Sequence, residues 1–372
     1  MKICVLEPFF GGSHKKWMEQ WAQHSRHDIS WLTLPGRHWK WRMYGGAVSL
    51  ARQYRELPGQ PDLLVASDML DLATFLGLID SRNRPPVAVY FHENQLVYPW
   101  SENDPDARTE RANQYGFINF TSALAADALA FNSRYHHDSL LEALSPFLRQ
   151  FPDHREEDLL NSLPAKSRVL PLGLDLSSIP VTVKKGPQNP PLILWNHRWE
   201  YDKQPELFFQ WLRQLKQEGI DFQVVLLGES FSRRPDIFMR AAGELSAEIL
   251  FSGFAPDSDT YFNWLERADI LPVTSVQDFF GGSVVEALYA GCLPVLPRRL
   301  AYPEHLPPQL HGTYLYDSPE EGYQLLKRLV GVPGPFLKDI PAIRSWVNRY
   351  DWHRVATLYD DWADDVVKGY LA

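Results

Sequence analysis

Short apolar runs alternate with helix-length stretches along almost the whole chain of 372 residues. A run such as 87–91, which is short and has no polar alternation, is typical of a strand buried on both faces. Alternation of such strands with helices predicts parallel sheets covered by helices on both sides. The predicted strands are 3–6, 29–34, 63–66, 87–91, 128–131, 192–196, 222–227, 248–251, 270–273 and 292–296. The predicted helices are 14–25, 46–57, 68–79, 109–126, 133–144, 204–218, 257–267, 283–290, 318–330, 338–349 and 352–370.

The alternation is interrupted between residues 171 and 191, where prolines and glycines cluster as in a linker. We therefore expect two doubly wound, Rossmann-like α/β domains, 1–180 and 181–350, followed by a C-terminal helix over 351–372 that can pack back on the first domain. Ligands of open parallel sheets bind beyond the carboxyl ends of the strands. Two such domains facing each other predict a central ligand cleft.

The composition excludes several classes of protein. Hydrophobic residues make up 45% and charged residues 22%, as in ordinary globular proteins, and no apolar run approaches the ~20 residues that span a bilayer. The net charge of −9 argues against a surface that binds polyanions everywhere. The N-terminus does not resemble a signal peptide, and Cys4 and Cys292 are expected to be reduced thiols, so we expect a cytoplasmic protein.

The sequence Phe-Phe-Gly-Gly-Ser occurs twice, at 9–13 after the first predicted strand and at 279–283 before a predicted helix. Glycines let a ligand approach the backbone, and a helix N-terminus offers unpaired N–H groups with partial positive charge. Both copies are therefore candidates for binding a phosphate group; the alternative is a pair of ordinary loop–helix junctions with serine caps. The candidate residues are Gly11 and Gly12 in the first copy, and Phe280, Gly281, Gly282 and Ser283 in the second.

Charged residues surround the second copy. Asp278 begins its loop, and Glu286 follows eight positions later in the first turn of the helix. A carboxylate has two oxygens with which to hold the vicinal hydroxyls of a ribose. Arg198 and Lys203 follow the strand predicted at 192–196, where a diphosphate would lie. A solvated surface pair is the alternative for these two cations.

These features resemble the retaining glycosyltransferases of the GT-B fold, specifically glycosyltransferase family 4. In that family an acidic-x7-Glu motif, usually with Glu first, binds the donor sugar and nucleotide, and an Arg and a Lys hold the diphosphate. The resemblance implies that Asp278 contacts the donor sugar, Glu286 the ribose, and Arg198 and Lys203 the diphosphate. Asp278 is one methylene shorter than the usual Glu.

The first domain carries more distinctive motifs. They are Phe9-Phe10-Gly11-Gly12-Ser13-His14, Leu34-Pro35-Gly36-Arg37-His38-Trp39-Lys40-Trp41-Arg42 and Tyr90-Phe91-His92-Glu93-Asn94-Gln95-Leu96. This set is similar to the tRNA-queuosine α-mannosyltransferase family over nearly the whole chain. The resemblance implies transfer of mannose from GDP-mannose to the cyclopentenediol of queuosine in the anticodon loop of tRNA-Asp.

Three residues are candidates for the chemistry: His92, Glu93 and Asp278. His92 ends a predicted strand, so its imidazole can hydrogen-bond the donor sugar or the departing phosphate oxygen. Glu93 is an alternative acid or base, and the sequence does not order the two. Candidates for acceptor contact in the same motifs are His14, for which a helix cap is the alternative role, Asn94 and Gln95.

Cations alternate with aromatic rings from 37 to 42. Single-stranded RNA is held by stacking on rings and by charge on its backbone, so this segment is a candidate tRNA contact. A surface loop with buried tryptophans is the alternative. The candidate residues are Arg37, Trp39, Lys40, Trp41 and Arg42.

Two acidic pairs, Asp104-x-Asp106 and Asp257-x-Asp259, have the spacing of a metal site in a different glycosyltransferase fold. Neither follows a strand in the required way, so we expect turn or cap residues, no metal and no other cofactor. No sequence signal indicates a protein partner.

Two other functions stay open. An enzyme of the same fold acting on a lipid-linked sugar or polysaccharide would not depend on residues 37–42. A catalytically inactive tRNA-binding protein would bind tRNA without sugar transfer, and the presence of Arg198, Lys203 and Glu286 argues against it.

Overall fold

The computed structural model describes residues 1–79, 84–101, 104–106, 111–181, 189–228 and 236–371. The chain divides into two compact units: unit 1 is Met1–Gly173 with Trp352–Ala372, and unit 2 is Leu174–Asp351. The chain therefore leaves unit 1 a few residues before the boundary expected at 180. Most of the expected linker's second half, 182–188, lies outside the described residues.

Strands and helices alternate through both units. The strands are β1 Lys2–Phe10, β2 Asp28–Pro35, β3 Leu63–Ser67, β4 Val87–Phe91, β5 Ala128–Phe131, β6 Ser167–Val169, β7 Leu192–Trp195, β8 Gln223–Leu227, β9 Ile249–Gly253, β10 Ile270–Pro272, β11 Leu293–Pro297 and β12 Leu315–Tyr316. The α-helices are α1 Gly12–His24, α2 Trp39–Arg55, α3 Leu72–Leu78, α4 Arg111–Ala125, α5 Arg134–Leu148, α6 Pro205–Gln217, α7 Asp236–Glu244, α8 Ser258–Arg267, α9 Gly282–Ala290, α10 His311–Tyr314, α11 Pro319–Gly331, α12 Ile340–Val347 and α13 Trp352–Leu371. No helix of the described ranges is long and apolar enough to cross a membrane.

Unit 1 contains a parallel sheet in the order β2-β1-β3-β4-β5-β6. Successive side chains of β1 point to opposite faces. Cys4 and Leu6 pack in one apolar cluster with Leu50 of α2, and Val5 packs in another with Trp17 of α1. Burial on both faces explains why β4 and all but the last residue of β3, Ser67, are apolar.

The last helix, α13, completes the second of these clusters. Tyr359 donates a hydrogen bond to the hydroxyl of Tyr90 (2.8 Å) and accepts one from the indole of Trp17 (3.1 Å). The indole of Trp352 donates to Gln20 (2.7 Å). Although α13 follows unit 2 in sequence, it is thus a structural part of unit 1.

Unit 2 contains a second parallel sheet, in the order β12-β11-β10-β7-β8-β9. β7 lies between β8 and β10, so the loops that follow these three strands meet at one edge of the sheet. The doubly wound α/β prediction is confirmed for both units.

Some elements differ from the prediction. α2 begins at Trp39 rather than at 46, so most of the segment 37–42 is the first turn of a helix and not a loop. β6 and β12 were not predicted because they have three and two residues and lie at sheet edges, which leaves no apolar run to find.

Candidate active site

The first Phe-Phe-Gly-Gly-Ser copy joins β1 to α1. Gly12 has φ of 52°, a conformation that favours glycine. A Cβ on Gly36 would lie 2.9 Å from the backbone of Gly11, so this loop touches the start of the segment 37–42. The N-cap residue of α1 is Gly11, hence no side chain caps the helix. Its first N–H groups remain suited to an anion.

Glu7 of β1 and His14 of α1 form a buried ion pair. His14 Nδ1 lies 2.8 Å from Glu7 Oε2, and Glu7 Oε1 accepts from the N–H of Phe9 (2.7 Å). Burial alone would lower the pKa of His14, but Glu7, followed by Asp68 and Glu93, raises it to about 9. His14 is therefore cationic at neutral pH. Glu7 was not among the predicted site residues; its one signal in the sequence is a charge inside an apolar strand.

His92 follows β4, and its ring packs against that of His14 at an interplanar angle of 37°. Its backbone N–H donates to Asp68 Oδ1 (2.7 Å), and the two imidazole centroids are 4.2 Å apart. Nε2 of His92 is buried and has no hydrogen-bond partner among the described residues. Burial, followed by the charge of His14 and by His136, holds the pKa of His92 well below its usual value. His92 is consequently a neutral imidazole beside a charged one.

Asp68, directly after β3, is a second ionisable residue of this region that was not among the predicted site residues. Burial, together with Glu93 and Glu7, raises its pKa to about 8 against the opposing effect of His14. We call Glu7, His14, Asp68 and His92 the histidine cluster.

The residues after His92 divide into two kinds. Glu93 is partly exposed and accepts from Gln95 Nε2 (2.8 Å). Asn94 is fully buried, and its side-chain oxygen accepts from the N–H groups of Leu96 (3.2 Å) and Val97 (3.1 Å). Asn94 thus shapes the turn after His92, and its buried Nδ2 has no hydrogen-bond partner among the described residues; the acceptor role of Asn94 stays a prediction.

The residues of the candidate RNA segment, 37–42, differ in how exposed their side chains are. Arg37 is exposed and the ring of Trp41 is 63% exposed, whereas Arg42 is partly buried and donates to the carbonyl of Pro35 (3.2 Å). Trp39 instead packs on Tyr115, with ring centroids 5.3 Å apart. Of the five residues predicted to contact RNA, Arg37 and Trp41 are thus the exposed ones.

Lys40 is one of the residues of segment 37–42 whose side chain is paired within unit 1. Its Nζ lies 2.5 Å from Asp104 Oδ1 and 2.7 Å from Asp106 Oδ2. Since two carboxylates already neutralise the ammonium group, the predicted contact of Lys40 with an RNA phosphate is corrected to a structural ion pair. The same contacts explain the Asp104-x-Asp106 spacing without a metal.

In unit 2, the second glycine copy begins α9. Gly281 is the N-cap residue with φ of 80°, and no side chain caps the helix. The ring of Phe280 is 4% exposed and packs edge-on against His305 and Tyr350. A side-chain contact of Phe280 with the donor is therefore corrected to a core position; Gly282 and Ser283 remain partly accessible at the helix start.

Lys203 lies in a buried polar cage. Its Nζ donates to the carbonyl of Gln277 (2.6 Å) and lies 3.1 Å from Asp202 Oδ2 and 3.5 Å from Asp278 Oδ2. Tyr302 donates to the same Asp278 oxygen (2.9 Å). Burial alone would raise the pKa of Asp278, but Lys203 and other neighbours hold it below its usual value.

Arg198 differs from Lys203, because nearly half of its side-chain surface is exposed. It lies 3.6 Å from Glu200 and is close enough to Asp278 to lower the pKa of that carboxyl. Arg198, Lys203 and Asp278 therefore share one region at the carboxyl end of β7.

Glu286 is fixed at the same strand end. Its Oε2 accepts from the hydroxyl of Tyr261 (2.8 Å). Asn196, directly after β7, donates to the carbonyl of Ser283 (2.7 Å) and contacts the Tyr261 hydroxyl (3.4 Å). Unit 2 thus brings its predicted donor residues together. The residues that orient them were not among the predicted site residues: Asn196, Asp202, Tyr261 and Tyr302.

Within the described ranges, no group of three or more His, Cys, Asp or Glu side chains is arranged to hold a metal ion. Asp257 is the N-cap residue of α8, and its carboxylate accepts from the N–H of Thr260 (2.7 Å). The prediction that Asp257 is a cap residue is confirmed.

Comparison with solved structures defines the fold, and a family model defines the class of protein. Sucrose-phosphate synthase from Thermosynechococcus elongatus has a TM-score of 0.73 at 14% identity, covering 99% of this chain and 100% of that chain. Anabaena HepE in complex with UDP has a TM-score of 0.69 at 14% identity, covering 98% and 100%. Residues 182–318 match the model of glycosyl transferases group 1. The fold is GT-B, and the protein is a glycosyltransferase.

Residues 2–174 match the family model described as tRNA-queuosine α-mannosyltransferase N-terminal. The tRNA-queuosine α-mannosyltransferase of Drosophila melanogaster is 34% identical over 319 residues, which cover 82% of this chain and 81% of that protein. The chain belongs to the tRNA-queuosine α-mannosyltransferase family, which confirms the resemblance noted from its motifs.

Proposed function

We propose that this protein transfers mannose from GDP-mannose to the cyclopentenediol of queuosine in the anticodon loop of tRNA-Asp. The observation that carries the proposal is the 34% identity to the Drosophila enzyme over 319 residues, a length greater than either unit. The cytoplasm is the compartment we expect for this reaction.

Unit 2 binds the donor in this proposal. Glu286 holds the ribose hydroxyls, Asp278 the mannose hydroxyls, and Arg198 the diphosphate, together with the N–H groups at the start of α9. Departing GDP gains negative charge as the glycosidic bond breaks, so cations and N–H groups aimed at it stabilise the transition state. Lys203 is already shared between two carboxylates and acts chiefly by fixing Asp278.

Unit 1 supplies the remaining groups. A neutral imidazole accepts hydrogen bonds, so His92 binds a hydroxyl of the reacting sugar. The queuosine hydroxyl attacks from the face that GDP leaves, which retains the anomeric configuration, and its proton passes to the departing phosphate oxygen. Glu93 is the alternative base. We expect no metal and no other cofactor, because cations and helix N-termini take up the charge.

The exposed side chains of Arg37 and Trp41 form the tRNA contact in this proposal. Trp41 offers a flat ring for an unstacked base, and Arg37 a charge for the backbone. The backbone contact between Gly11 and Gly36 brings this segment next to the glycine loop of unit 1.

The direct test is incubation of the purified protein with GDP-mannose and queuosine-containing tRNA-Asp. Digestion to nucleosides and mass spectrometry should show one hexose on queuosine. The matched controls are tRNA-Asp with guanosine in place of queuosine, and UDP-glucose as donor. Unmodified queuosine together with glycosylation of a lipid or polysaccharide acceptor would contradict the proposal.

A further inference from the structure

His14 carries its charge at a place where a helix disfavours it. It is the third residue of α1, where a cation faces the positive end of the helix dipole, an effect of about 0.3–1 kcal/mol at surfaces. It is also buried, which further disfavours the charged form. A cation that the local structure opposes in two ways needs a compensating partner.

Glu7 is that partner. Its carboxylate has no exposed surface, and its two oxygens meet the N–H of Phe9 and Nδ1 of His14. Because Nδ1 faces Glu7, Nε2 is the remaining N–H donor of the His14 ring, and no described hydrogen bond uses it.

We propose that Glu7 is a positioning residue that keeps His14 doubly protonated and oriented, so that the Nε2–H of His14 donates to a phosphate oxygen of the sugar nucleotide at the N-terminus of α1. The inference rests on the proposed function and changes the role of His14 from acceptor contact to stabiliser of the departing phosphate. The imidazolium and the unpaired N–H groups of α1 then act on the same anion.

The charged groups around His14 are consistent with a protonated His14 beside a neutral His92. Glu7 faces it from β1, Asp68 from the end of β3, and Glu93 from the end of β4, all raising its affinity for a proton. His92, 4.2 Å away and influenced also by His136 of α5, stays neutral. One imidazole is thereby held as a donor and its neighbour as an acceptor.

The kinetic test compares Glu7→Gln with Glu19→Gln, which removes an exposed carboxylate from α1, the helix that carries His14. Wild-type turnover should fall with rising pH near the pKa of His14, about 9. In Glu7→Gln, turnover at pH 8 should drop about tenfold or more and recover as the pH is lowered toward 6, because a buried imidazole without its carboxylate loses its proton. Glu19→Gln should match wild type. An unchanged profile, or an equal loss at every pH, would overturn the proposal.

The second test needs neither substrate. In ¹⁵N spectra of wild-type protein, the His14 ring, assigned with His14→Gln, should be an imidazolium at pH 7.5; in Glu7→Gln it should titrate about 2 pH units lower or more. A neutral His14 in wild type at pH 7.5 would overturn the proposal even if Glu7→Gln does not fold. Absence of mannosyl-queuosine with an intact His14 titration would instead reject the proposed function.

Discussion

The same five residues, Phe-Phe-Gly-Gly-Ser, have different surroundings in the two units. In unit 1 the phenylalanines end β1, and the helix that follows carries the Glu7–His14 ion pair. In unit 2 the phenylalanines are buried in the core, and the neighbouring charges are Lys203 and Asp278. Both copies lie at a helix start with their first glycine as N-cap, but Gly11 is extended (φ −169°) whereas Gly281 is left-handed (φ 80°). The chemistry of each copy comes from the side chains packed around it.

The two sets of charges differ in how they respond to protons. In unit 1, the pKa of His14 is raised to about 9 and that of Asp68 to about 8, so both groups titrate within reach of neutral pH. In unit 2, the pKa of Asp278 is held below its usual value. Asp278 therefore stays ionised near neutral pH, whereas His14 and Asp68 can change their protonation there.

The largest expected effect is on the free energy of unfolding, and it distinguishes Lys203 from Arg198 in unit 2. Lys203→Met removes the partner of the buried Asp202 and should lower the free energy of unfolding by about 3–5 kcal/mol. Arg198→Ala should stay within about 0.5 kcal/mol of wild type, because Arg198 is half exposed, and lose transferase activity instead. Urea unfolding measures both. Adding Asp202→Asn to Lys203→Met should restore part of the lost stability. If Lys203→Met and Arg198→Ala were equally stable, the buried cage around Lys203 would be contradicted.

The next effect concerns the donor carboxylate. Glu286→Gln replaces a charged acceptor by a neutral one, which is worth about 1.5–3 kcal/mol and predicts a fall in kcat/KM of about 100-fold. Tyr261→Phe removes only the hydroxyl that orients Glu286, so its loss should be about tenfold. Initial rates with GDP-mannose as the varied substrate give both values. A larger loss in Tyr261→Phe than in Glu286→Gln would contradict the ribose assignment.

The contribution of His14 in unit 1 to stability should depend on pH in the alkaline range. The pKa of His14 is raised from 6.5 to about 9, so its stabilising effect is complete below pH 6.5 and is lost as the pH rises through about 9. Unfolding free energies of wild type and His14→Gln should differ by on the order of 3 kcal/mol at pH 6 and converge above pH 9.5. A difference that stays constant across this range would show that His14 is not charged by Glu7.

The smallest expected effect is on tRNA affinity, and it tests the contrast between the exposed Trp41 and the packed Trp39 at the start of α2. Trp41→Ala should weaken tRNA binding by about 1–3 kcal/mol, the value of one stacked base, and leave unfolding unchanged. Trp39→Ala should lower stability, because its ring packs on Tyr115. Filter binding and thermal unfolding separate the two. Unchanged tRNA affinity in Trp41→Ala would remove this residue from the RNA surface.

Local patterns were enough to predict the parallel α/β fold and to single out residues that lie together in unit 2, whose role in donor binding stays a prediction. Arg198, Asp278 and Glu286 stand beside strand ends and a helix start that the sequence itself marks. The partners of buried charges were missed, because they depend on which strands become neighbours: Glu7 meets His14 across the β1–α1 junction, and Lys40 meets Asp104 more than sixty residues away. The first turn of α2 was missed because its alternating cations and rings hide the helical period.

The division of labour between the units is tested most directly by the affinity for GDP-mannose in two variants that both lose turnover. Calorimetric titration should give a Kd for Glu286→Gln that is about 10-fold or more above wild type, from the loss of a charged hydrogen bond. His92→Ala should bind GDP-mannose within about threefold of wild type, less than 1 kcal/mol. The reverse order, with donor affinity lost in His92→Ala and kept in Glu286→Gln, would contradict the account.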